Sequence, residues 1–178
     1  MLEYEKFKKK YKIFLKLITT NHITKSYVKW MNDYEVVKYT EQRFKRHTIT
    51  DIKKFVKEKM YSQTDFLYGI FICDKKKIHV GNLKIGPINK IHKTAEISYF
   101  VGEKKYWKIG IASKALKKGI EICKKKYKLK KLIAGCYSTN KGSIRVLKKN
   151  KFKKEAVLKS QVFFENKRID LIMFGLVI

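Results

Sequence analysis

From Tyr106 to Ala115 the chain reads Tyr-Trp-Lys-Ile-Gly-Ile-Ala-Ser-Lys-Ala, a run whose residue types can hold an anion through the backbone alone. Gly110 and Ala112 stand where an extended stretch gives way to an amphipathic one, so the N–H groups of Ile109, Gly110, Ile111, Ala112 and Ser113 meet little side-chain obstruction. The first turn of a helix leaves its amides without intrahelical partners, and the helix dipole adds partial positive charge there. Lys108 and Lys114 contribute full charges. A pyrophosphate is the ligand such a turn fits. One Gly-x-Ala at a helix start is also how a plain helix begins, so the surrounding elements have to decide.

A second chemical segment lies earlier, from Trp30 to Phe44, where aromatic and charged side chains crowd together. Trp30 and Tyr39 can stack on a ring, while Asn32, Glu41 and Arg43 can bind hydroxyl groups. The competing reading is a well-packed connector between two helices. Cys73, Cys123 and Cys136 are odd in number and form no CxxC pair, and His22, His47, His79 and His92 share no ligand spacing with them. Neither a disulfide framework nor a metal is expected.

The elements that position these groups follow from hydrophobic period and cap chemistry. Ile13, Leu15 and Leu17 alternate in a first strand, and Thr24 can cap a helix carrying Tyr27, Val28, Trp30 and Met31. Thr50 can cap a second helix bearing Ile52, Phe55, Val56 and Met60. Strands at 66–73, 78–85 and 95–101 form an antiparallel meander, joined by a turn at 74–77 and by Gly86–Pro87 with a polar loop. A helix is expected from about Ile109 to Tyr127, with Ala112, Leu116, Ile120 and Cys123 on one face. A strand at 132–137, a helix opened by Asn140 and running through Leu147, short strands at 156–158 and 162–164, and a long strand at 169–177 complete the chain. The class is α+β, one domain built on a mixed sheet flanked by helices.

This order of elements, together with Trp107-x-x-Gly110-x-Ala112, resembles the GNAT superfamily of N-acetyltransferases. Trp at the first signature position is similar to the branch containing ribosomal-protein N-terminal acetyltransferases and amino-sugar acetyltransferases, although Lys108 replaces the glycine usual there. The resemblance extends over nearly the whole chain, through Trp30-Met31-Asn32-Asp33, Ala95-Glu96-Ile97, Asn140-x-x-Ser143 with Phe152, and Asp170. It implies a mixed, mostly antiparallel sheet and acetyl-CoA as cofactor. Phe100 and Val101 would pair with the pantetheine arm through their backbone, Trp107–Ser113 would take the pyrophosphate, and Asn140 would face the cofactor. Glu96 would deprotonate the amine. The tyrosine that many members use as general acid is Leu147 here, which leaves Ser143, or Tyr137, as a substitute. The segment from Trp30 to Phe44 would line the acceptor pocket, and its wording resembles members acting on amino sugars.

Composition narrows the partners. The 178 residues carry 44 Lys and Arg against 15 Asp and Glu, a formal charge of +29. Such a chain draws anions, whether a nucleotide-linked amine, CoA or nucleic acid. No RNP-like aromatic motif or zinc finger supports a dedicated RNA binder, so nucleic acid is the weaker partner, and a homo-oligomer is left open. No apolar run reaches the roughly 20 residues of a membrane span, and the first twelve residues lack the apolar stretch of a secretory signal, which points to a soluble, cytoplasmic protein. The reading is an acetyl-CoA-dependent N-acetyltransferase acting on a primary amine, a nucleotide-linked amino sugar first. A ribosomal-protein-like N-terminal acetyltransferase comes second, and a noncatalytic CoA-sensing or RNA-binding module third.

Overall fold

The computed structural model describes residues 11–73 and 76–178. Seven strands form one sheet in the order β1-β2-β3-β4-β5-β7-β6. They are β1 (Lys12–Leu17), β2 (Phe66–Cys73), β3 (Lys77–Asn89), β4 (Thr94–Val101), β5 (Lys131–Tyr137), β6 (Lys153–Phe164) and β7 (Lys167–Val177). Every neighbouring pair is antiparallel except β4 and β5. Helices α1 (Lys25–Met31), α2 (Tyr34–Val37) and α3 (Ile49–Tyr61) precede β2, α4 (Ile111–Lys125) follows β4, and α5 (Lys141–Lys149) follows β5. The expected α+β class and antiparallel meander are present.

Alternation along the strands sends side chains to two cores. Tyr68, Ile70 and Ile72 of β2, Ala95 and Ile97 of β4, and Leu132, Ala134 and Cys136 of β5 face α4 and α5. On the other side Leu67 packs with Tyr27, Trp30, Val37, Ile52 and Val56 of the first three helices. Helix α4 buries Ile111, Ala115, Leu116, Gly119 and Cys123, so its inner face runs through Ala115 and Gly119 rather than Ala112 and Ile120, which are half-buried.

Several boundaries differ from the sequence reading, each for a local reason. Helix α3 is capped by Thr48, not Thr50, because Asp51 stands three residues on and returns a hydrogen bond to the Thr48 N–H at 2.8 Å while Thr48 Oγ1 accepts from Asp51 N at 3.1 Å. Thr50 has no such partner. Strand β3 runs past Gly86–Pro87 to Asn89, since a register shift between Ile85 and Ile88 absorbs the proline that cannot donate. Helix α4 begins at Ile111 because Gly110 is left-handed. The two short strands near the end are one, β6, which keeps pairing with β7 through irregularities at Lys154/Ala156 and Leu158/Val162. At the second of these Ser160 takes φ 51°, and Asp170 Oδ1 accepts its N–H at 3.0 Å. Asp74 and Lys75 of the expected turn lie outside the described residues.

Among the described residues no helix is long and apolar enough to cross a membrane, and no three His, Cys, Asp or Glu side chains group as metal ligands.

The first core sets an alkaline limit on the fold. Burial pushes the Cys123 thiol up to about 12, and burial pushes the Tyr27 hydroxyl in the second core up to about 12 against a hydrogen bond with Asn82 that acts the other way. Both groups hold their protons in the folded chain at a pH where the unfolded chain has released them. Their contribution is therefore complete below the ordinary values of 9.0 and 10.0 and is lost as pH climbs toward about 12. Cys123→Ala and Tyr27→Phe should each lose melting temperature less steeply across that window than the parent chain. Lysine deprotonation affects all three alike, so parallel melting curves would refute the linkage.

Candidate active site

The parallel pairing of β4 with β5 is short. It joins Thr94 to Lys131, Ala95 to Leu132 and Glu96 to Ile133, and ends there. Beyond Glu96, β4 continues on β3 as far as Val101, while β5 continues on β7 as far as Tyr137, so the two strands part and leave a wedge in the middle of the sheet. The N–H of Gly102 donates to Val80 O at 2.8 Å, which turns Gly102 toward β3. Backbone groups alternate along an antiparallel edge, so Phe100 also turns toward β3, and Val101 and Tyr99 present theirs to the wedge. Of Phe100 and Val101, it is Val101 whose backbone faces the wedge. Phe100 instead sends its ring into the core beside α1.

The loop after β4 folds back on its own strand. Trp107 Nε1 donates to Val101 O at 2.7 Å and its ring is half-buried between the two cores. This indole anchors the loop to the end of β4, and it is the backbone beyond it that meets the wedge. Lys108 has φ 62° and Gly110 φ 85°. Lys108 thus adopts a conformation that glycine takes without strain, at the position where the resemblance expects glycine. A Cβ on Gly110 would touch nothing within 4 Å, so its dihedral rather than crowding calls for glycine. Lys114 N donates to Gly110 O at 3.1 Å, the first bond of α4, and Gly110 brings no side chain to cap the helix. The amides of Ile111, Ala112 and Ser113 form the first turn, with exposed Lys108 next to them. Ser113 Oγ accepts from Asn150 Nδ2 at 3.1 Å, which fixes the start of α4 against the end of α5. This arrangement can bind pyrophosphate.

Across the wedge Asn140 caps α5, its Oδ1 accepting from Ser143 N at 3.0 Å. Its side-chain oxygen is therefore committed to the helix. Tyr99, which the sequence reading missed, reaches from β4 to α5: its hydroxyl lies 3.1 Å from Ser143 Oγ and 3.4 Å from Ser143 O. Burial raises the Tyr99 hydroxyl above the ordinary tyrosine range, against the bond to Ser143. The signal was available, because Tyr99 shares the parity of Ile97 and Val101. Leu147 is 1% exposed in the core, where the resemblance has a tyrosine. Glu96 is exposed, at the closed end of the wedge, on the sheet face of Ser98 and Phe100.

The acceptor-side residues divide. Trp30 is 4% exposed, its ring against Gly102, where a Cβ would come within 3 Å of the indole, and 5.2 Å from the His79 ring. It has no face free to stack on a substrate, a correction to the expectation. Asn32 also has a structural role, bonding His47 in both directions at 2.8 and 2.9 Å. Arg43 is a third correction. Its side chain is 7% exposed, and its guanidinium donates to Thr40 O at 2.9 Å, Tyr137 Oη at 2.7 Å and Phe163 O at 3.2 Å. The Tyr137 hydroxyl donates to Glu41 Oε1 at 2.5 Å, and Tyr39 stacks on Phe164, 5.2 Å between centroids. Tyr137, weighed as a general acid, is thus engaged, and the segment from Tyr39 to Arg43 is stapled to the end of β5 and to the β6–β7 hairpin. Lys104 pairs with Asp33 at 2.6 Å, which ties the start of α2 to the loop after β4 and holds the Asp33 carboxyl below its usual range.

The acetyltransferase (GNAT) domain family model matches residues 12–153. Solved structures of similar shape include a spermidine N-acetyltransferase from Vibrio cholerae in complex with CoA and spermine (TM-score 0.82, 14% identity, 93% of this chain and 95% of that chain). RimL, a ribosomal L7/L12 alpha-N-protein acetyltransferase in complex with CoA, is similar at TM-score 0.81 and 17% identity, covering 93% and 94%. A GNAT-family acetyltransferase from Bacillus anthracis reaches 22% identity at TM-score 0.76, covering 93% and 94%.

The buried guanidinium yields a stability test. Arg43→Ala removes the donor to the Tyr137 hydroxyl, which keeps Glu41, and to the Thr40 and Phe163 carbonyls, and should cost about 1–3 kcal/mol in denaturant unfolding. Arg43→Lys should recover little, since one ammonium cannot span three acceptors arranged around a planar fork. Wild-type stability for Arg43→Ala, with only a weaker acceptor KM, would return Arg43 to substrate contact.

Proposed function

We propose, from the premise that this chain belongs to the GNAT acetyltransferase family, that it carries an acetyl group from acetyl-CoA to a primary amine on an anionic molecule, a nucleotide-linked amino sugar. The observation that carries the catalytic part is the wedge between β4 and β5, opening beside the uncapped first turn of α4. Ile111, Ala112 and Ser113 hold the pyrophosphate through their amides, with Lys108 adding charge. Val101 and Tyr99 offer backbone groups to the pantetheine arm along the open edge of β4. Acetyl-CoA supplies a thioester carbonyl when bound, and a wedge-facing N–H of β4 polarises it, which requires no particular side chain. Glu96 accepts the proton that the ammonium must lose, through water. As the C–S bond breaks, Ser143 Oγ, held by the Tyr99 hydroxyl, passes its proton to the departing sulfur and takes up the second proton that the attacking nitrogen loses.

The acceptor class rests on charge. A chain at +29 repels a polycation such as the spermine bound to the Vibrio cholerae enzyme and attracts a pyrophosphate-bearing sugar. RimL's protein substrate supports a second reading, an N-terminal α-amine presented on a nucleic-acid-bound protein, which the same charge would also favour.

Two measurements test these assignments. Gly110→Glu, placing a carboxylate where phosphate belongs, should abolish CoA binding in a folded protein, whereas Glu96→Gln should keep CoA binding and slow turnover by roughly 10²–10⁴. Unchanged CoA affinity in the first, or near-normal turnover in the second, removes that residue from its role. Free-thiol release should then be screened with amino-sugar nucleotides, ribosomal N-terminal peptides and polyamines. The sugar reading expects kcat/KM to fall as salt rises from about 50 to 200 mM, as the screening length shortens. Turnover of peptides alone would establish the second reading.

A further inference from the structure

Away from the wedge, a cleft of about 540 Å³ opens between α1–α2 and the segment Gln42–Arg46, a size in the range of roughly 300–1,000 Å³ that small-molecule sites occupy. Its lining has a distinct chemistry. Arg43, Lys45 and Arg46 contribute to it, no carboxylate does, and Tyr34 and Phe44 form aromatic walls. Phe44 is 67% exposed and Tyr34 50% exposed, so both rings offer surface to a ligand rather than to the core. Phe44 is also held in place from one side: the Arg43 guanidinium carbon sits 4.1 Å from its ring centroid, and Arg43 is itself fixed by its three acceptors. Lys45 and Arg46 form no close ion pair with a described carboxylate, and Lys45 acts on Asp51 only at longer range. The Gln42 side chain lines the same space and can both donate and accept.

We infer that this cleft is a nucleoside-phosphate site, with the base against Phe44 and Tyr34 and the phosphate on Lys45 and Arg46. Each feature is matched by one part of that ligand. A bare anion would use the two cations and leave the rings in water. An apolar amine would use the rings and be repelled by three cations. Only a ligand with both a flat π-face and a negative charge uses both, and stacking on an exposed aromatic does not demand one base. Arg43 is shared between this cleft and the staple on Tyr137 at the end of β5. The inference rests on the acceptor reading above and deepens it: the cleft would hold the carrier nucleotide of the amine.

The full chain saturated with CoA, so that the wedge is filled, is titrated with UMP and AMP and, in parallel, with inorganic phosphate. Either nucleotide should bind at least about tenfold tighter than phosphate, because of the stacked base. Phe44→Ala should weaken it roughly tenfold. Lys45→Ala combined with Arg46→Ala should weaken it similarly and flatten its salt dependence. Both changes lie on exposed residues, and melting temperature confirms that the variants remain folded. Nucleotide binding no tighter than phosphate, binding indifferent to Phe44→Ala, or binding of an oligonucleotide but of neither mononucleotide would each overturn the assignment. Acetylation of an amino-sugar nucleotide with KM unchanged in Phe44→Ala would also overturn it while leaving the reaction intact. Nucleotide binding as described with no amino-sugar nucleotide acetylated would sink the acceptor class and leave the site.

Discussion

Two neighbouring strands that stop pairing halfway along a sheet leave backbone N–H and C=O groups in the middle of the molecule, and everything around β4 answers that condition. The Val101 carbonyl takes the Trp107 indole N–H, and Tyr99 crosses to Ser143. Trp30 fits over the end of the strand only because Gly102 has no side chain, and Lys104 carries the connection on to Asp33. The helices therefore do more than cover the two faces. They keep β4 and β5 apart, so that an open edge persists where a closed sheet would have none.

Scarce acids in a cationic chain are spent on fixing structure. Asp51 closes the cap of α3, Asp65 is shared by Lys59 and Lys84, Glu41 meets Tyr137, and Asp170 receives Ser160 N and Lys159. With 44 Lys and Arg against 15 Asp and Glu, the acids are too few to give each cation a counterion of its own. A surface of this kind selects by sign of charge before any pocket selects by shape, and its selectivity fades with ionic strength as local contacts do not.

Much of this was legible in the residue order. Alternation located the strands, Thr24 and Asn140 marked two helix starts, and Gly110 marked the turn at the mouth of the wedge. What failed did so because burial is decided by partners far along the chain. Nothing near Trp30 announces Gly102 or His79, and nothing near Arg43 announces Tyr137 and Phe163, so residues whose types suit a ligand read as ligand contacts when they are packing. Tyr99 failed in the opposite direction. It was passed over within an apolar strand, and its hydroxyl acquires meaning only when α5 brings Ser143 to it. Thr48 and Thr50 were separable in principle, since only Thr48 has an acidic residue three places on.

The kink at Ser160 bears on how the molecule behaves among its own copies. Strand β6 closes one border of the sheet, where a long straight ribbon would offer a template for a foreign strand. Here the ladder is interrupted twice within 12 residues, the backbone turns left-handed at Ser160, and Lys153, Lys154 and Lys159 project into water. A strand approaching from solution would find no unbroken register to follow and would bring its backbone against repelling charge. That border is blunted against cross-β growth, so association of this protein with itself is not expected to proceed by continuation of the sheet at β6.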